Sequence, residues 1–428
     1  MSTTTTEPIT DLTAYCDTLA DRALSASRSL AMSSGQQRND ALRAMAKAIR
    51  DSKTDLQTAN TKDLEAGKAN GLSPAMLDRL ELTDARIASM ADSVDQIAEQ
   101  PDPVGKVIEG RVLDNGIKLT KLRVPIGVVL IIFESRPNVT SDAAALCLKS
   151  GNATVLRGGK EAMHSNQAIA KCVQQGIESA GIDPAAVQLV ETTDRAAVGK
   201  LLKMEGKIDV CIPRGGESLI RAVVEQAHIP VIKHYTGNCH VYIDANCDEQ
   251  MAIDICVNSK AQRTGVCNAA ETLLFHADAA ERGVLRKVCE GLAEQGVEVR
   301  GDSRALAEFG QAKTATDEDW ATEYLDKIVA VRVVDSLEQA AQHINHYGSK
   351  HTDAIVTTDL RAADQFVKTI DTANAFVNCS TRFSDGGQYG LGAEIGISTD
   401  KLHARGPMGA EDLTTTKWVA YGNGQTRV

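Results

Sequence analysis

Gly127-Val-Val-Leu-Ile-Ile-Phe133 is the stretch that decides the fold, because six apolar residues follow a glycine without interruption. A run of this length that is rich in Val and Ile is typical of a strand buried on both faces of a parallel sheet. Amphipathic helix patterns and short apolar runs alternate after it. This alternation indicates βαβ units, so we predict a doubly wound, nucleotide-binding α/β domain over 127–255.

The residues before this domain have a different pattern. Apolar residues recur at helical spacing through 42–49 and 87–97, which predicts that residues 1–105 form helices packed on the cofactor domain. The next segment, 106–126, contains two strand-like runs on either side of Asp114-Asn-Gly116. Asn-Gly in that setting is a strong hairpin signal. A lone hairpin is unstable in water, so we expect this one to serve in oligomerisation.

Strands and helices alternate a second time in the C-terminal half. The pattern over 256–380 predicts a second doubly wound α/β domain. The final segment, 381–428, begins with a polar, glycine-rich stretch, which we interpret as a loop lining the substrate. It ends with a strand-like run, Thr414–Tyr421, that needs a sheet edge to join, and another subunit is one source of such an edge.

Ser259-Lys-Ala-Gln-Arg-Thr-Gly-Val-Cys-Asn268 lies between a predicted helix and a predicted strand. Its small polar bend is suited to presenting Cys267 at the rim of a sheet. A nucleophilic cysteine reacts as the thiolate, which needs hydrogen-bond donors or a positive field. Backbone N–H groups of 265–268 and the side chain of Arg263 are available for this. The alternative is that Cys267 is a small buried hydrophobic residue, a common role for cysteine.

Composition limits the classes of function. The chain has 46 basic and 57 acidic residues, a net charge of −11, which argues against nucleic acids and anionic membranes as partners. None of the ten cysteines forms a Cys-x-x-Cys pair, as expected in a reducing compartment. No metal is predicted, because the nine histidines lack ligand spacing. Residues 1–8 lack the features of a signal peptide, so we expect a cytoplasmic protein.

Two glycine-containing loops point to a bound phosphate. Arg157-Gly-Gly-Lys160 follows one predicted strand, and Arg214-Gly-Gly216 follows another. Such loops present backbone N–H groups and a helix N-terminus to an anion. Each loop alone could also be an ordinary turn that connects a strand to the next helix, with no ligand bound. The two together favour a phosphate-bearing cofactor, although no Gly-x-Gly-x-x-Gly follows the first strand.

Five longer strings carry a resemblance to a known family. They are Phe133-Glu-Ser-Arg-Pro-Asn-Val-Thr140, Ala143-Ala-Ala-Leu-Cys-Leu-Lys-Ser-Gly-Asn152, Leu156-Arg-Gly-Gly-Lys-Glu161, Gln262-Arg-Thr-Gly-Val-Cys-Asn-Ala-Ala-Glu-Thr272 and His403-Ala-Arg-Gly-Pro-Met-Gly409. Over nearly the whole chain the sequence resembles the gamma-glutamyl phosphate reductase family of the aldehyde dehydrogenase superfamily. The resemblance implies NADPH-dependent reduction of L-glutamyl 5-phosphate to L-glutamate 5-semialdehyde and phosphate, in proline biosynthesis.

The resemblance also assigns roles to individual residues. Cys267 falls on the nucleophile. Lys160 falls where NAD-preferring members carry a glutamate that binds the adenosine ribose, so a cation there implies NADP(H). Arg157 falls where the superfamily usually has a cofactor-binding lysine, and Glu323 falls at the nicotinamide ribose. The loop pattern described above adds Gly215 and Gly216 as expected cofactor contacts.

One departure from the superfamily pattern bears on the reaction. Hydrolytic aldehyde dehydrogenases carry a glutamate base in a Glu-Leu-Gly-Gly string, and Tyr235 stands in its place here, within His234-Tyr-Thr-Gly-Asn238. Such a base activates water against a thioacyl intermediate. Its replacement fits an enzyme that passes the acyl group between the thiol and phosphate.

Substrate contacts are predicted at polar and cationic positions. The backbone N–H of Cys267 and the side chain of Asn138 are expected to stabilise the oxyanion. The phosphate and the α-carboxylate need cations, for which Arg136, Arg263 and Arg405 are the candidates. Each of these arginines could equally be an ordinary surface residue.

Two other functions remain open at this stage. One is a semialdehyde dehydrogenase that forms the free acid without phosphate, and the other is a catalytically silent NADP-binding scaffold. The expected quaternary structure is a homodimer or homotetramer. An association with glutamate 5-kinase, which makes the unstable acyl phosphate, also remains open.

Overall fold

The structure is a computed structural model that describes residues 10–134 and 136–427. Contacts divide the chain into two compact units. Unit 1 contains the residues up to Lys233, together with Gly390–Gly396 and those from Met408 onward. Unit 2 contains His234–Tyr389 and Ile397–Pro407.

The elements are numbered along the chain. The helices are α1 Leu12–Leu30, α2 Gly35–Asp51, α3 Lys53–Ala69, α4 Pro74–Leu80, α5 Asp84–Glu99, α6 Val139–Lys149, α7 Met163–Ser179, α8 Arg195–Leu201, α9 Glu217–Gln226, α10 Glu249–Ala261, α11 Ala277–Glu281, α12 Val284–Glu294, α13 Ser303–Glu308, α14 Leu337–Tyr347 and α15 Leu360–Thr369. The strands are β1 Val107–Val112, β2 Lys118–Pro125, β3 Val128–Phe133, β4 Ala153–Arg157, β5 Val187–Leu189, β6 Val210–Arg214, β7 Cys239–Ile243, β8 Ala270–His276, β9 Glu298–Gly301, β10 Lys313–Thr314, β11 Ile328–Val334, β12 Thr352–Val356, β13 Asn374–Val377, β14 Gly396–Ser398, β15 Gly406–Met408 and β16 Thr414–Tyr421.

Unit 1 is built on a four-stranded parallel sheet in the order β5-β4-β3-β6. All six residues of β3 are buried, as expected for a central strand covered on both faces. Leu130 of β3 pairs with Val155 of β4 on one side and with Cys211 of β6 on the other. The predicted α/β fold is therefore confirmed.

The predicted N-terminal helical segment consists of five helices, α1–α5. Side-chain oxygens of Asp11, Ser34, Ser73 and Thr83 accept backbone N–H groups where four of them begin, which satisfies donors that a helix leaves unpaired. Helices α2 and α3 pack on α7. The N-terminal helices thus pack on a helix that follows a strand of the four-stranded sheet, and they belong to unit 1.

The predicted hairpin, β1 and β2, belongs to a separate three-stranded antiparallel sheet in the order β1-β2-β16. Gly116 has a φ of 85°, so the Asn-Gly signal marks the turn. The C-terminal strand was expected to need an edge, possibly from another subunit. In the structure its own chain supplies that edge, since Trp418 of β16 pairs with Lys121 of β2.

Unit 2 is built on a seven-stranded parallel sheet in the order β10-β9-β11-β8-β7-β12-β13. Strand β7 was missed in the sequence, where His240 interrupts its apolar run. It pairs with β8 and β12, and so the units divide between Lys233 and His234 rather than after residue 255. Across the described residues, no helix is long and apolar enough to cross a membrane.

Candidate active site

Cys267 lies in the loop that joins α10 to β8. Its side chain is partly exposed, whereas seven of the ten cysteines are buried. The interpretation of Cys267 as a buried hydrophobic residue therefore does not hold. A partly exposed thiol at the end of a strand is accessible to a substrate, as a nucleophile must be.

The segment just before β7 packs directly against Cys267. A Cβ atom added to Gly237 would collide with the Cα and carbonyl oxygen of Cys267. The Cys239 thiol donates to the same carbonyl oxygen at 3.2 Å. Only glycine permits this close approach of two backbones, so Gly237 fixes the position of Cys267.

Glu323 contacts this segment from a different loop. Its Oε1 accepts the backbone N–H of Gly237 at 2.9 Å. Because Gly237 packs against the backbone of Cys267, a single residue separates the Glu323 carboxylate from that backbone. Its predicted role at the nicotinamide ribose stays a prediction.

Residues 381–384, at the start of the glycine-rich stretch, form hydrogen bonds to the other side of the loop that contains Cys267. Asn268 is buried, and its Nδ2 donates to the backbone oxygen of Ser384 at 2.8 Å. The hydroxyl of Thr381 donates to the backbone oxygen of Asn268 at 2.7 Å. Residues 381–384 thus hold Asn268, the residue that follows Cys267.

Two imidazoles lie beside the thiol. A nitrogen of His234, a nitrogen of His351 and Sγ of Cys267 all lie within 4.8 Å of one another. The two rings meet edge to face, with centroids 5.4 Å apart. Sequence reasoning had not assigned a role to either histidine, because His234, Cys267 and His351 are far apart in the chain.

Strand order explains how these residues meet. His234 precedes β7, Cys267 precedes β8 and His351 precedes β12. Strands β8, β7 and β12 are adjacent and parallel, so their amino ends lie at one edge of the sheet. The site in unit 2 therefore forms at the amino ends of these strands.

An arginine pair supplies positive charge near the thiol. Burial lowers the pKa of Arg382, and the positive charge of Arg263 lowers it further. Arg382 Nε donates to Gln262 Oε1 at 2.9 Å, while its buried Nη1 has no hydrogen-bond partner among the described residues. Desolvating a guanidinium without a partner is costly. The arrangement is thus suited to binding an anion, and sequence reasoning had missed Arg382.

The other predicted substrate contacts are placed differently. Arg405 forms an ion pair at 2.8 Å with Asp371, a carboxylate that also pairs with Lys350 and Lys401. Asn138 and Arg136 are exposed residues of unit 1, just before α6. Asn138 Nδ2 donates to Asp142 at 2.8 Å. The predicted role of Asn138 at the oxyanion stays a prediction.

Unit 1 contains a cavity of about 920 Å³ at the carboxyl ends of its strands. Phe133, Glu134, Arg157, Lys160, Thr193 and Arg195 are among its lining residues. Burial lowers the pKa of Arg157, and its Nε has no hydrogen-bond partner within the described part of the chain. A volume of this size with three cationic side chains fits a nucleotide cofactor bearing phosphates.

The second predicted phosphate loop is held by Glu134. The backbone N–H of Gly216 donates to Glu134 Oε2 at 3.0 Å, and a Cβ on Gly215 would collide with the same carboxylate. Neither glycine lines the cavity, although Ser218 and Leu219 do. The predicted contacts of Gly215 and Gly216 with the cofactor remain predictions.

Comparison with known proteins identifies the family. The pattern of the aldehyde dehydrogenase family matches residues 5–305. The chain belongs to the aldehyde dehydrogenase family. This membership confirms the predicted class of enzyme, an oxidoreductase that acts on an aldehyde or oxo group, and members of the family use NAD or NADP.

Solved structures of aldehyde dehydrogenase relatives are similar over nearly the full length. A gamma-glutamyl phosphate reductase from Thermotoga maritima is 39% identical with a TM-score of 0.94, over 96% of this chain and 100% of that one. One from Saccharomyces cerevisiae is 32% identical with a TM-score of 0.52, over 96% and 98%. An engineered glycolyl-CoA reductase with bound NADP⁺ is 16% identical with a TM-score of 0.68, over 94% and 96%, and shares the fold alone. The predicted resemblance is thus confirmed.

The contact between Gly237 and Cys267 yields a prediction. We expect Gly237→Ala to displace the nucleophile of this aldehyde dehydrogenase, lowering kcat about a hundredfold, the order of effect known for displacements near 1 Å. Overpacking should also lower the free energy of unfolding by about 1–3 kcal/mol. Steady-state kinetics and chemical denaturation measure the two effects. Gly310→Ala is the matched control, because a Cβ there meets no atom within 4 Å. An unchanged kcat in Gly237→Ala would contradict the proposed constraint.

Proposed function

We propose that this chain reduces L-glutamyl 5-phosphate to L-glutamate 5-semialdehyde and releases phosphate, using NADPH. The observation that carries the proposal is the partly exposed Cys267 beside a desolvated arginine, Arg382, that lacks a full set of partners. Full-length similarity to two gamma-glutamyl phosphate reductases supports the same substrate.

The nucleophilic step follows from the groups around Cys267. The thiolate attacks the acyl carbon of the mixed anhydride, a C–S bond forms, and the C–O bond to phosphate breaks with its electron pair leaving on phosphate. The leaving group is attached to the attacked carbon, so it must lie close to the sulfur. Arg382 interacts electrostatically with Cys267 and with Arg263, and we assign these two arginines to the phosphate.

The oxyanion that forms during attack needs donors. The backbone N–H of Cys267 is assigned to it and contributes about 3 kcal/mol to stabilising the tetrahedral state. NADPH, when bound, supplies the hydride that reduces the thioacyl carbon. Collapse of the resulting thiohemiacetal on Cys267 breaks the C–S bond, releases the semialdehyde and returns the thiolate.

Tyr235 accounts for the fate of the acyl group. By the resemblance it falls where hydrolytic relatives carry a glutamate base, and a phenol lacks the carboxylate that would take a proton from water. Without a base at that position, attack by water on the thioacyl group is slow. The acyl group therefore exchanges with phosphate rather than being lost to hydrolysis.

The reverse reaction provides the first test. With semialdehyde and NADP⁺, we expect NADPH formation to depend on added phosphate or arsenate. Arg382→Gln should raise the KM for phosphate at least tenfold, because a charge-assisted hydrogen bond contributes about 1.5–3 kcal/mol. Arg382→Lys keeps the charge but loses the planar guanidinium, which can donate two hydrogen bonds to one phosphate. Its KM for phosphate should therefore lie between those of the wild type and Arg382→Gln. Initial rates at varied phosphate measure both effects.

The controls for this test separate the alternatives. Cys267→Ala should abolish turnover while NADPH binding, followed by fluorescence, persists. A rate that does not respond to phosphate or arsenate would contradict the acyl-phosphate reaction and indicate direct oxidation to the free acid. Retained turnover in Cys267→Ala would remove the nucleophile assignment.

The preference for NADP(H) rests on Lys160. This exposed lysine lines the cavity together with Arg157 and Arg195, and three cations suit a cofactor with an additional 2′-phosphate. A glutamate at the same place would instead accept the ribose hydroxyls and repel that phosphate.

We therefore expect Lys160→Glu to shift the ratio of kcat/KM for NADPH over NADH toward NADH at least tenfold, as the loss of one charge-assisted contact predicts. The ratio is measured from kinetics with each cofactor. Lys203→Glu, which makes the same charge change at an exposed residue outside the cavity, should leave the ratio unchanged. Equal ratios in wild type and Lys160→Glu would reject the assignment.

The three-stranded sheet supports the proposed homo-oligomer. Its β1 and β16 are edge strands, and Val107, Val112 and Trp418 are 59%, 66% and 45% exposed. Exposed edge strands carrying apolar side chains are prone to pair with another chain. We assign this sheet to the contact between subunits of a dimer or tetramer.

Charge placed on this sheet tests the assignment. We expect the intact protein to have the molar mass of a dimer or tetramer by light scattering, and Val112→Lys with Trp418→Glu to lower it toward that of one chain. Leu360→Lys, at a residue of unit 2 that is 78% exposed, should not change the mass. A monomeric wild-type protein would contradict the proposal.

A further inference from the structure

We propose that His234, Cys267 and His351 form a binding site for a soft divalent cation such as Zn²⁺, and that the bound ion inhibits the enzyme by occupying the nucleophile. One potential ligand atom from each residue lies within 4.8 Å of the other two. Two imidazoles and a thiolate are ligands that Zn²⁺ prefers. The site is distinct from a resident metal cofactor, since the proposed reaction uses none.

The two rings are oriented as metal-binding histidines usually are. Nδ1 of His234 lies 2.7 Å from the backbone oxygen of Ile397. A carbonyl oxygen only accepts, so Nδ1 carries the proton and Nε2 carries the lone pair. A ligating histidine typically donates its other N–H to a carbonyl in this way, which fixes the ring and raises the basicity of the ligating nitrogen.

His351 is held in an equivalent manner. Its Nδ1 lies 2.9 Å from the Thr352 hydroxyl, which itself donates to the hydroxyl of Ser384 at 2.9 Å. A hydroxyl has one proton, so it accepts from Nδ1–H of His351. The same tautomer is therefore fixed in both rings, and Nε2 is the atom with which each ring would bind the ion.

The dimensions of the cluster suit a small tetrahedral ion. With Zn–S near 2.3 Å and Zn–N near 2.0–2.1 Å, ligand atoms of a tetrahedral site are about 3.3–3.6 Å apart. The three ligand atoms here lie within 4.8 Å of one another, so side-chain movements of roughly 1 Å are enough to close the site. Three protein ligands leave a fourth position open for water or a phosphate oxygen, as in zinc sites accessible to small molecules.

The neighbouring charges set the strength of binding. Arg382 interacts electrostatically with Cys267, and a second cation must bind against that field. Formation of the thiolate–metal bond offsets this repulsion for Zn²⁺, whereas Mg²⁺ prefers oxygen ligands and gains no such bond. We therefore infer reversible inhibition by Zn²⁺ and no effect of Mg²⁺.

The test measures protection of the thiol and needs no substrate, so it stands apart from the proposed reaction. Metal-free protein is treated with limiting iodoacetamide, and alkylation of Cys267 is followed by peptide mass spectrometry. One equivalent of Zn²⁺ should slow this alkylation at least tenfold, EDTA should restore it, and Mg²⁺ should leave it unchanged. The partly exposed Cys247, outside the cluster, is the internal control and should react at the same rate throughout.

Variants identify the ligands. His234→Gln and His351→Gln should each lose most of the protection, whereas His346→Gln, at an exposed histidine outside the cluster, should keep it. Co²⁺ should give a thiolate-to-cobalt absorption band in the near ultraviolet that Cys267→Ala lacks. Because His351 is fully buried, circular dichroism is used to check that His351→Gln folds. If it does not fold, the variant of the partly exposed His234 decides the test.

Either of two results would overturn the proposal. One is equal protection of Cys267 in wild type and in His234→Gln, which would show that the imidazole is not a ligand. The other is equal slowing of Cys247, which would show that Zn²⁺ binds thiols without selecting this site.

Discussion

The buried ion pair between Lys260 and Glu271 holds the ends of the loop that carries the nucleophile. Lys260 lies in the last turn of α10 and Glu271 in β8, so the pair closes the segment around Cys267 at 2.5 Å. Both side chains are fully buried. Burial raises the pKa of Glu271 and lowers that of Lys260, and the opposite charge of each partner opposes the shift in the other. Losing one partner would leave an uncompensated buried charge, at a cost of about 3–5 kcal/mol.

The same pair reaches the loop of Glu323. Glu271 Oε1 accepts the backbone N–H of Leu325 at 3.4 Å, and Lys260 Nζ lies 5.8 Å from the ring centre of Tyr324. Leu325 has a φ of 52°, a conformation that is unfavourable for a leucine and persists only where its surroundings enforce it. One ion pair therefore positions both Cys267 and Glu323. We infer that its charges are retained for this geometry, since buried pairs add little to stability alone.

Local sequence signals and long-range contacts differ in what they reveal. Cys267 could be found from its own loop, and β3 from an uninterrupted apolar run, because both signals are contiguous. His234, His351 and Arg382 could not be found in this way, since what brings them to the thiol is the order β8-β7-β12 and the packing of residues 380–384. The sequence contains no direct signal for strand order. Strand β7 was missed for a related reason, because buried His240 receives its partner Asp353 from β12, 3.2 Å away.

The position of the site at the amino ends of β7, β8 and β12 has a chemical consequence. Loops that enter parallel strands at one edge bring three backbones together, and Gly237 shows how closely two of them approach. The nucleophile is therefore held mainly through its backbone, by Gly237 and Cys239 on one side and by residues 381–384 on the other. Its sulfur remains available to react. A scaffold that holds the main chain lets the surrounding side chains differ without moving the thiol, and we propose that Tyr235 in place of a glutamate base is one such difference. In the proposed reaction, this difference directs the thioacyl group to phosphate rather than to water.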